Sequence, residues 1–304
     1  MSKPKKKSKL PVAKSVKAKE REKLRFLSRM DYKKMITYPL IVFVVALLLL
    51  AVHFPTLGID LRGGVVVTAY GVHANPDQLT KELSRDLGIE INVESFKSIE
   101  TSGVRIYAPI GTSPGKIINL MKEKYPNAKY THSEVQPTFG KIAQKQGIKA
   151  IVLAFLGMAA VVFLFFRDPI PSMTIIFSAL SDMTVAVALM GVFRIELTTA
   201  TIAALLMLIG YTVDSNILLT TKLLRRKEDT IEDAYLSAVS TGFTMSTTTL
   251  GALFVLWLIS TSQTIDNIAI VLIFGLLTDF MNTWVLNAGV LKWYLSRKPR
   301  GGRA

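Results

Sequence analysis

Three aspartates, Asp182, Asp214 and Asp279, stand inside stretches that are otherwise long and apolar. A charge held in a bilayer interior costs about 2.5–3.5 kcal/mol on the milder insertion scales, so an intramembrane carboxyl is by default a candidate carrier of a proton or an ion. A neutral Asn would join helices without that cost, which sets these three apart from the Ser, Thr and Asn around them. In the run Ile209-Gly210-Tyr211-Thr212-Val213-Asp214-Ser215-Asn216, Gly210 lies one turn before Asp214 on the same face and would let a second helix approach closely, the geometry of an interface. Thr241, Thr244, Thr248 and Gly251 recur at helical spacing in the next apolar stretch, a small polar stripe suited to partner that face. Gly275, Asp279 and Asn282 line up on the last stretch, and Ser178 sits one turn from Asp182. The hydroxyls and amides, Asn216 included, read first as helix-to-helix hydrogen bonds, worth on average about 0.6 kcal/mol each in a membrane.

Other chemistries have little to work with. The chain has no cysteine, which removes thiol nucleophiles, thiolate metal sites and disulfides, and its three histidines, His53, His73 and His132, are scattered. No metal site and no cofactor are expected. Between the first two apolar stretches lie roughly ninety mixed residues, with no paired carboxylates, Ser/His pair or phosphate-binding glycine loop. That insert reads as a binding or moving part, and the chain as a whole is expected not to be an enzyme.

The elements that must position the aspartates follow from composition. The 304 residues are 50% hydrophobic and 19% charged, with a net charge of +15 and a mean hydropathy of +0.38, the profile of a membrane protein. Six segments approach the roughly 20 apolar residues that a spanning helix needs: 36–54, 150–166, 170–192, 198–221, 240–260 and 268–291. Fourteen Lys and Arg against three acidic residues fall within residues 1–35, so most of the net charge belongs to that tail. It reads first as a cytoplasmic topology anchor, with contact to anionic lipid, or to ribosomal or other RNA, as alternatives; no specific nucleic acid partner is expected. Arg167, then Lys222, Arg225, Arg226 and Lys227, then Lys292, Arg297, Lys298 and Arg300 all fall on the same side as the tail. Both termini are therefore expected inside and the insert outside, in a multi-pass protein of the cell membrane. The expected division is a basic tail (1–35), a first span (36–54), an extracytoplasmic domain (55–147), a five-helix membrane domain (148–292) and a second cytoplasmic tail (293–304).

Within the insert, Val65–Ala69, Ile89–Ser98, Val104–Ala108 and Lys129–Gln136 read as strands, with helices over Pro76–Leu87 and Ser113–Lys124. The order βαββαβ is that of a ferredoxin-like split unit. Its densest motif is Gly63-Gly64 after Asp60-Leu61-Arg62, where glycines most simply mark a tight entry into the sheet.

Those residues carry a resemblance. Gly58-Ile59-Asp60-Leu61-Arg62-Gly63-Gly64 resembles the Gly-Ile/Leu-Asp-x-x-Gly-Gly motif of the SecD/SecF protein-export family, in the RND superfamily. Glu196-Leu197-Thr198-Thr199 leading to Gly210-Tyr211-Thr212-Val213-Asp214-Ser215 resembles that family's fourth-span motif, and Ser246-Thr247-Thr248-Thr249-Leu250 its fifth-span motif, all in order over about 36–291. The modest insert matches the SecF type made as a separate subunit. The resemblance implies an accessory subunit of the Sec translocon, paired with a SecD-like subunit, whose outer domain holds unfolded preprotein while proton flow drives its motion. It maps Asp214 onto the fourth-span carboxyl implicated in proton conduction and Asp182 onto the third-span Asp. Thr241 stands at the place of the bacterial fifth-span Arg, and Asp279 where bacterial members favour Gly, which implies a lineage of archaeal type. Two other readings compete: a passive scaffold for translocon assembly, and an RND-type half-transporter for a lipid or small molecule.

Overall fold

The computed structural model describes residues 30–97, 102–225, 230–260 and 262–297; most of the basic tail, Arg226, Lys227, Lys298 and Arg300 lie outside them. The first apolar stretch forms α1 (Tyr32–Val52). After it a four-residue helix, α2 (Ile59–Arg62), leads through Gly63 and Gly64 into β1 (Gly64–Tyr70). Both glycines have positive φ, 78° and 140°, a turn that a side chain would strain. Next come α3 (Pro76–Leu87), β2 (Asn92–Lys97), β3 (Ser102–Ala108), α4 (Pro114–Lys124) and β4 (Lys129–Val135). The four strands make one antiparallel sheet in the order β2-β3-β1-β4, with β1 paired to both β3 and β4.

The local signals explain these boundaries. Asn75 Oδ1 accepts the Asp77 amide at 3.0 Å to start α3 just before Pro76, and Gly88, in the left-handed region, ends it. Alternate residues of the central strands, Val65, Val67 and Ala69 with Val104, Ile106 and Ala108, turn toward one face. Leu79 and Leu83 of α3 and Ile117 and Met121 of α4 cover that face to form the core. Leu83 is fully buried, so Leu83→Ala should cost about 2–5 kcal/mol. Limited proteolysis of the full chain should then cut within 64–135 at a protease dose that leaves the wild type intact.

The remaining elements are α5 (Pro137–Phe166), α6 (Pro169–Val192), α7 (Thr199–Leu224), α8 (Ile231–Ile259), α9 (Gln263–Met281), a π turn (Asn282–Asn287) and α10 (Ala288–Arg297). Six helical stretches are long and apolar enough to cross a membrane, the last running continuously from Thr264 to Arg297. Helix α5 begins thirteen residues ahead of the apolar run at 150, and α8 nine ahead of the run at 240, because both start with polar turns that no apolar window registers. α6, α7 and the last span form the packed centre, while α1, α5 and α8 expose rows of Leu, Val, Ile and Phe suited to lipid.

Candidate functional site

The centre of the bundle is polar. Asp182 on α6 is wholly buried; its Oδ2 accepts from Thr212 Oγ1 at 3.0 Å and its Oδ1 from Asn282 Nδ2 at 2.7 Å. Asp279 on α9 is also buried. Ser215 Oγ lies 2.8 and 2.9 Å from its two carboxyl oxygens, and Thr283 Oγ1 donates to it at 2.8 Å. The two carboxyls are close enough to act on each other electrostatically. One layer along, Asn287 Nδ2 donates to Asn216 Oδ1 at 2.6 Å, and Asn216 Nδ2 donates to the Thr212 carbonyl at 2.8 Å.

Two carboxyls this close inside an apolar bundle cannot both carry charge without a severe electrostatic cost. The least costly arrangement leaves at most one of the two ionised. Glue alone would be fully satisfied, yet Asn282 Oδ1 and Asn287 Oδ1 are buried with no partner among the described residues. A buried oxygen without a partner costs about 1–3 kcal/mol, so each of the two is a place where a water would be bound.

Helix geometry brings these groups together. On α7, Thr212, Asn216 and Thr220 follow at intervals of four, as do Asp279, Thr283 and Asn287 on the last span. The π turn supplies three of the partners, Asn282, Thr283 and Asn287, and such insertions gather at functional sites. It also turns Trp284 wholly inward, where its ring occupies the space that a side chain at position 242 would need. At Gly275 the Leu208 side chain of α7 fills the corresponding space.

Three expectations about faces require correction. Asp214 is exposed, not buried: it lines a cleft of roughly 140 Å³ with Ser215, Gly242, Met245, Ser246 and Thr249, and Asp279 of the buried pair lines the same cleft. A position one residue away on a helix is turned by about 100°, so Ser215 reaches Asp279 while Asp214 does not. The α8 face toward Asp214 is Gly242, Ser246 and Thr249, whereas Thr244 and Thr248 are exposed and their hydroxyls bond carbonyls of their own helix. Thr241 bonds the Ser237 carbonyl and receives Lys222 Nζ at 3.4 Å. Among the described residues, nothing lies within 4 Å of a Cβ added at Gly210 or Gly251. Asn216 and Asn282 do belong to the network; Thr212, Ser215, Thr283 and Asn287 were missed, though the four-residue spacing of 212, 216 and 220 against 279, 283 and 287 was there to find.

A second polar centre lies at the root of the sheet domain and holds the glycine motif. Gly58 N donates to the Leu197 carbonyl at 2.8 Å, and Leu197 N to the Thr56 carbonyl at 2.8 Å, pairing 56–58 with the α6–α7 loop. A side chain at Gly58 would meet Thr198, Asp60 and Glu196. Asp60 accepts the Thr199 amide at 2.6 Å and the Thr199 hydroxyl. Alongside, a cleft of roughly 520 Å³ runs between the sheet and this loop, lined by Glu94, Arg105, Tyr107, Arg194 and Glu196 among others. Burial, reinforced by Glu94 and Asp60, raises the Glu196 carboxyl to about 7, against the pull of Arg62 and Arg105. A carboxyl raised in the folded state binds more protons folded than unfolded, so its contribution weakens as pH climbs from about 4.5 to about 7. Thermal unfolding across that window should show this loss, and Glu196→Gln should flatten it.

Comparison with known proteins gives a consistent picture. A family described as protein export membrane protein SecD/SecF, C-terminal, matches residues 116–297. A protein-export membrane protein SecF of Thermococcus gammatolerans is 68% identical over 91% of this chain and 90% of its own length. The one from Pyrococcus furiosus is 57% identical over 91% of this chain and 96% of its own. Among solved structures, SecDF from Thermus thermophilus, described as a translocon-associated membrane protein, superposes with a TM-score of 0.70 at 18% identity, covering 89% of this chain. The chain spans 38% of that SecDF chain.

Proposed function

The chain belongs to the SecD/SecF protein-export family, and we propose on that footing that it is an accessory subunit of the Sec protein translocase that works with a SecD-like subunit and assists late translocation of unfolded preprotein. It is a multi-pass membrane protein. The likeness to a SecDF chain more than twice as long supports a partner that supplies the other half. The strand order β2-β3-β1-β4 supports a ferredoxin-like domain, placed outside the membrane with both termini in the cytoplasm and the basic tail near anionic lipid.

The finer reading is coupling to an ion gradient, with the proton as the ion. The observation that carries it is the buried pair of Asp182 and Asp279, held by α7 through Thr212 and Ser215. Gaining or losing one proton there changes which hydroxyls can donate and so where α7 rests against α6 and α9. The exposed Asp214 stands at the mouth of the cleft as an entry group. The scaffold reading draws on the many hydrogen bonds of the same network, which would also hold an inert bundle together.

One experiment separates them. Vesicles carrying the translocon, this chain and the SecD-like partner are loaded with a preprotein arrested late, and its release is timed with and without a proton gradient. Coupling predicts release accelerated by the gradient only when this chain is present; acceleration independent of the gradient supports the scaffold. Asp214→Asn should slow gradient-driven release only a few-fold, about threefold, because water in an open cleft can replace an entry group.

A further inference from the structure

We propose that Asp60 is a positioning residue that ties the root of the sheet domain to the first residue of α7, so that displacement of α7 at the carboxyl pair is carried to the sheet. The inference rests on the coupling reading above and adds the route by which motion leaves the membrane.

Asp60 accepts both the amide and the hydroxyl of Thr199, the first residue of α7. Free amides at a helix start favour a carboxylate. Yet α7 does not need this one in order to begin: Thr198 Oγ1 accepts the Thr201 amide at 3.1 Å and Thr201 Oγ1 accepts the Thr198 amide at 2.7 Å, a complete capping box. The Asp60 bonds are an additional tie from another part of the chain, 139 positions away. The backbone pairing of Gly58 and Thr56 with Leu197 doubles it.

On the sheet side the link is short. Only Leu61, Arg62 and Gly63 separate Asp60 from β1, the strand paired on both edges. The α2 carbonyl of Leu61 is in turn held by Gln144 Nε2 of α5 at 2.8 Å, which leaves α2 seated between two spans. On the membrane side, Thr199 and Thr212 stand on one continuous helix about 20 Å apart. A rigid helix held at its start by Asp60 and near its middle by the carboxyl pair transmits an axial shift without needing a hinge.

The absence of cysteine makes the test direct. Spin labels at Glu123→Cys on α4 and Ile259→Cys at the end of α8, both exposed, report the distance between sheet domain and bundle in the reconstituted complex with the SecD-like partner. Asp279→Asn, which removes one of the two carboxyls and its repulsion of the other, should shift that distance when the joint is intact. Adding Asp60→Ala should cut the shift to less than half, the backbone pairing of 56–58 with Leu197 carrying the remainder; Asp60→Asn, whose amide oxygen accepts the same two bonds, should restore it, and Thr199→Val should leave an intermediate shift. An equal shift with and without Asp60 overturns the joint and leaves coupling standing. No shift in either background also overturns the joint, and the gradient dependence of preprotein release then decides separately whether coupling survives.

Discussion

Asp279→Asn is expected to reduce gradient-driven release of preprotein to the rate seen without a gradient, while the complex with the SecD-like partner still assembles. The substitution keeps the shape and keeps an oxygen to accept from Ser215 and Thr283, so the helices stay joined. What it removes is the ionisable proton, and with it the reason that α7 would occupy two positions. A positioned acid or base commonly contributes about a hundredfold or more to a proton-dependent step, which sets the size of the loss. Asp182→Asn should act in the same direction, since its carboxyl acts electrostatically on the same partner and accepts from Thr212 and Asn282. Replacing both should cost little beyond either alone, because the pair acts as one unit. The measurement is release from vesicles with the proton gradient imposed or collapsed.

Gly191→Ala should be the most damaging small substitution for the fold. The added carbon would sit against the His53 carbonyl at the end of α1, and the obstacle is backbone, which cannot rotate away. Gly191 is where α6 meets the chain leaving α1, alongside the packing of Ala46 on Val185 and Ala188. Close approach through small residues is what holds spanning helices together, and overpacking by one carbon costs roughly 1–3 kcal/mol even where side chains can adjust. The expected result is a lower melting temperature in detergent and poor recovery of the partner complex. By contrast, Gly210→Ala and Gly251→Ala, where none of the described residues lies within 4 Å of the added carbon, should leave the isolated chain's melting temperature unchanged.

The sheet domain was readable from the sequence because its signals are local. Asn75-Pro76 and Ser113-Pro114 announce helix starts, and Gly88 ends α3 in the conformation that glycine favours. The six apolar stretches were readable for the same reason, as length and hydropathy need no partner. Orientation about each helix axis was not. On α7 the stripe Thr212, Asn216 and Thr220 favours Ser215 over Asp214 for the inner face, but a carboxyl reads first as the functional group and nothing local says which helix the stripe meets. The Thr stripe of α8 misled in a similar way, because a hydroxyl can bond its own helix and so face lipid. The π turn shifts register at Asn282, and a rule of 3.6 residues per turn does not foresee it. Glu196 and Asp60 come together only through the pairing of Leu57 with Leu197, a contact between segments far apart in the chain.

Infrared difference spectroscopy of the reconstituted complex tests the proton assigned to the pair most directly. A carboxyl that loses its proton gives up the carbonyl stretch of the acid, and an isolated buried acid absorbs apart from the exposed carboxyls. The wild type should show one such band that disappears when the bathing pH is raised and returns when it is lowered, and both Asp182→Asn and Asp279→Asn should abolish its response. A pH-responsive band that persists unchanged in both variants would contradict the assignment of the proton to this pair.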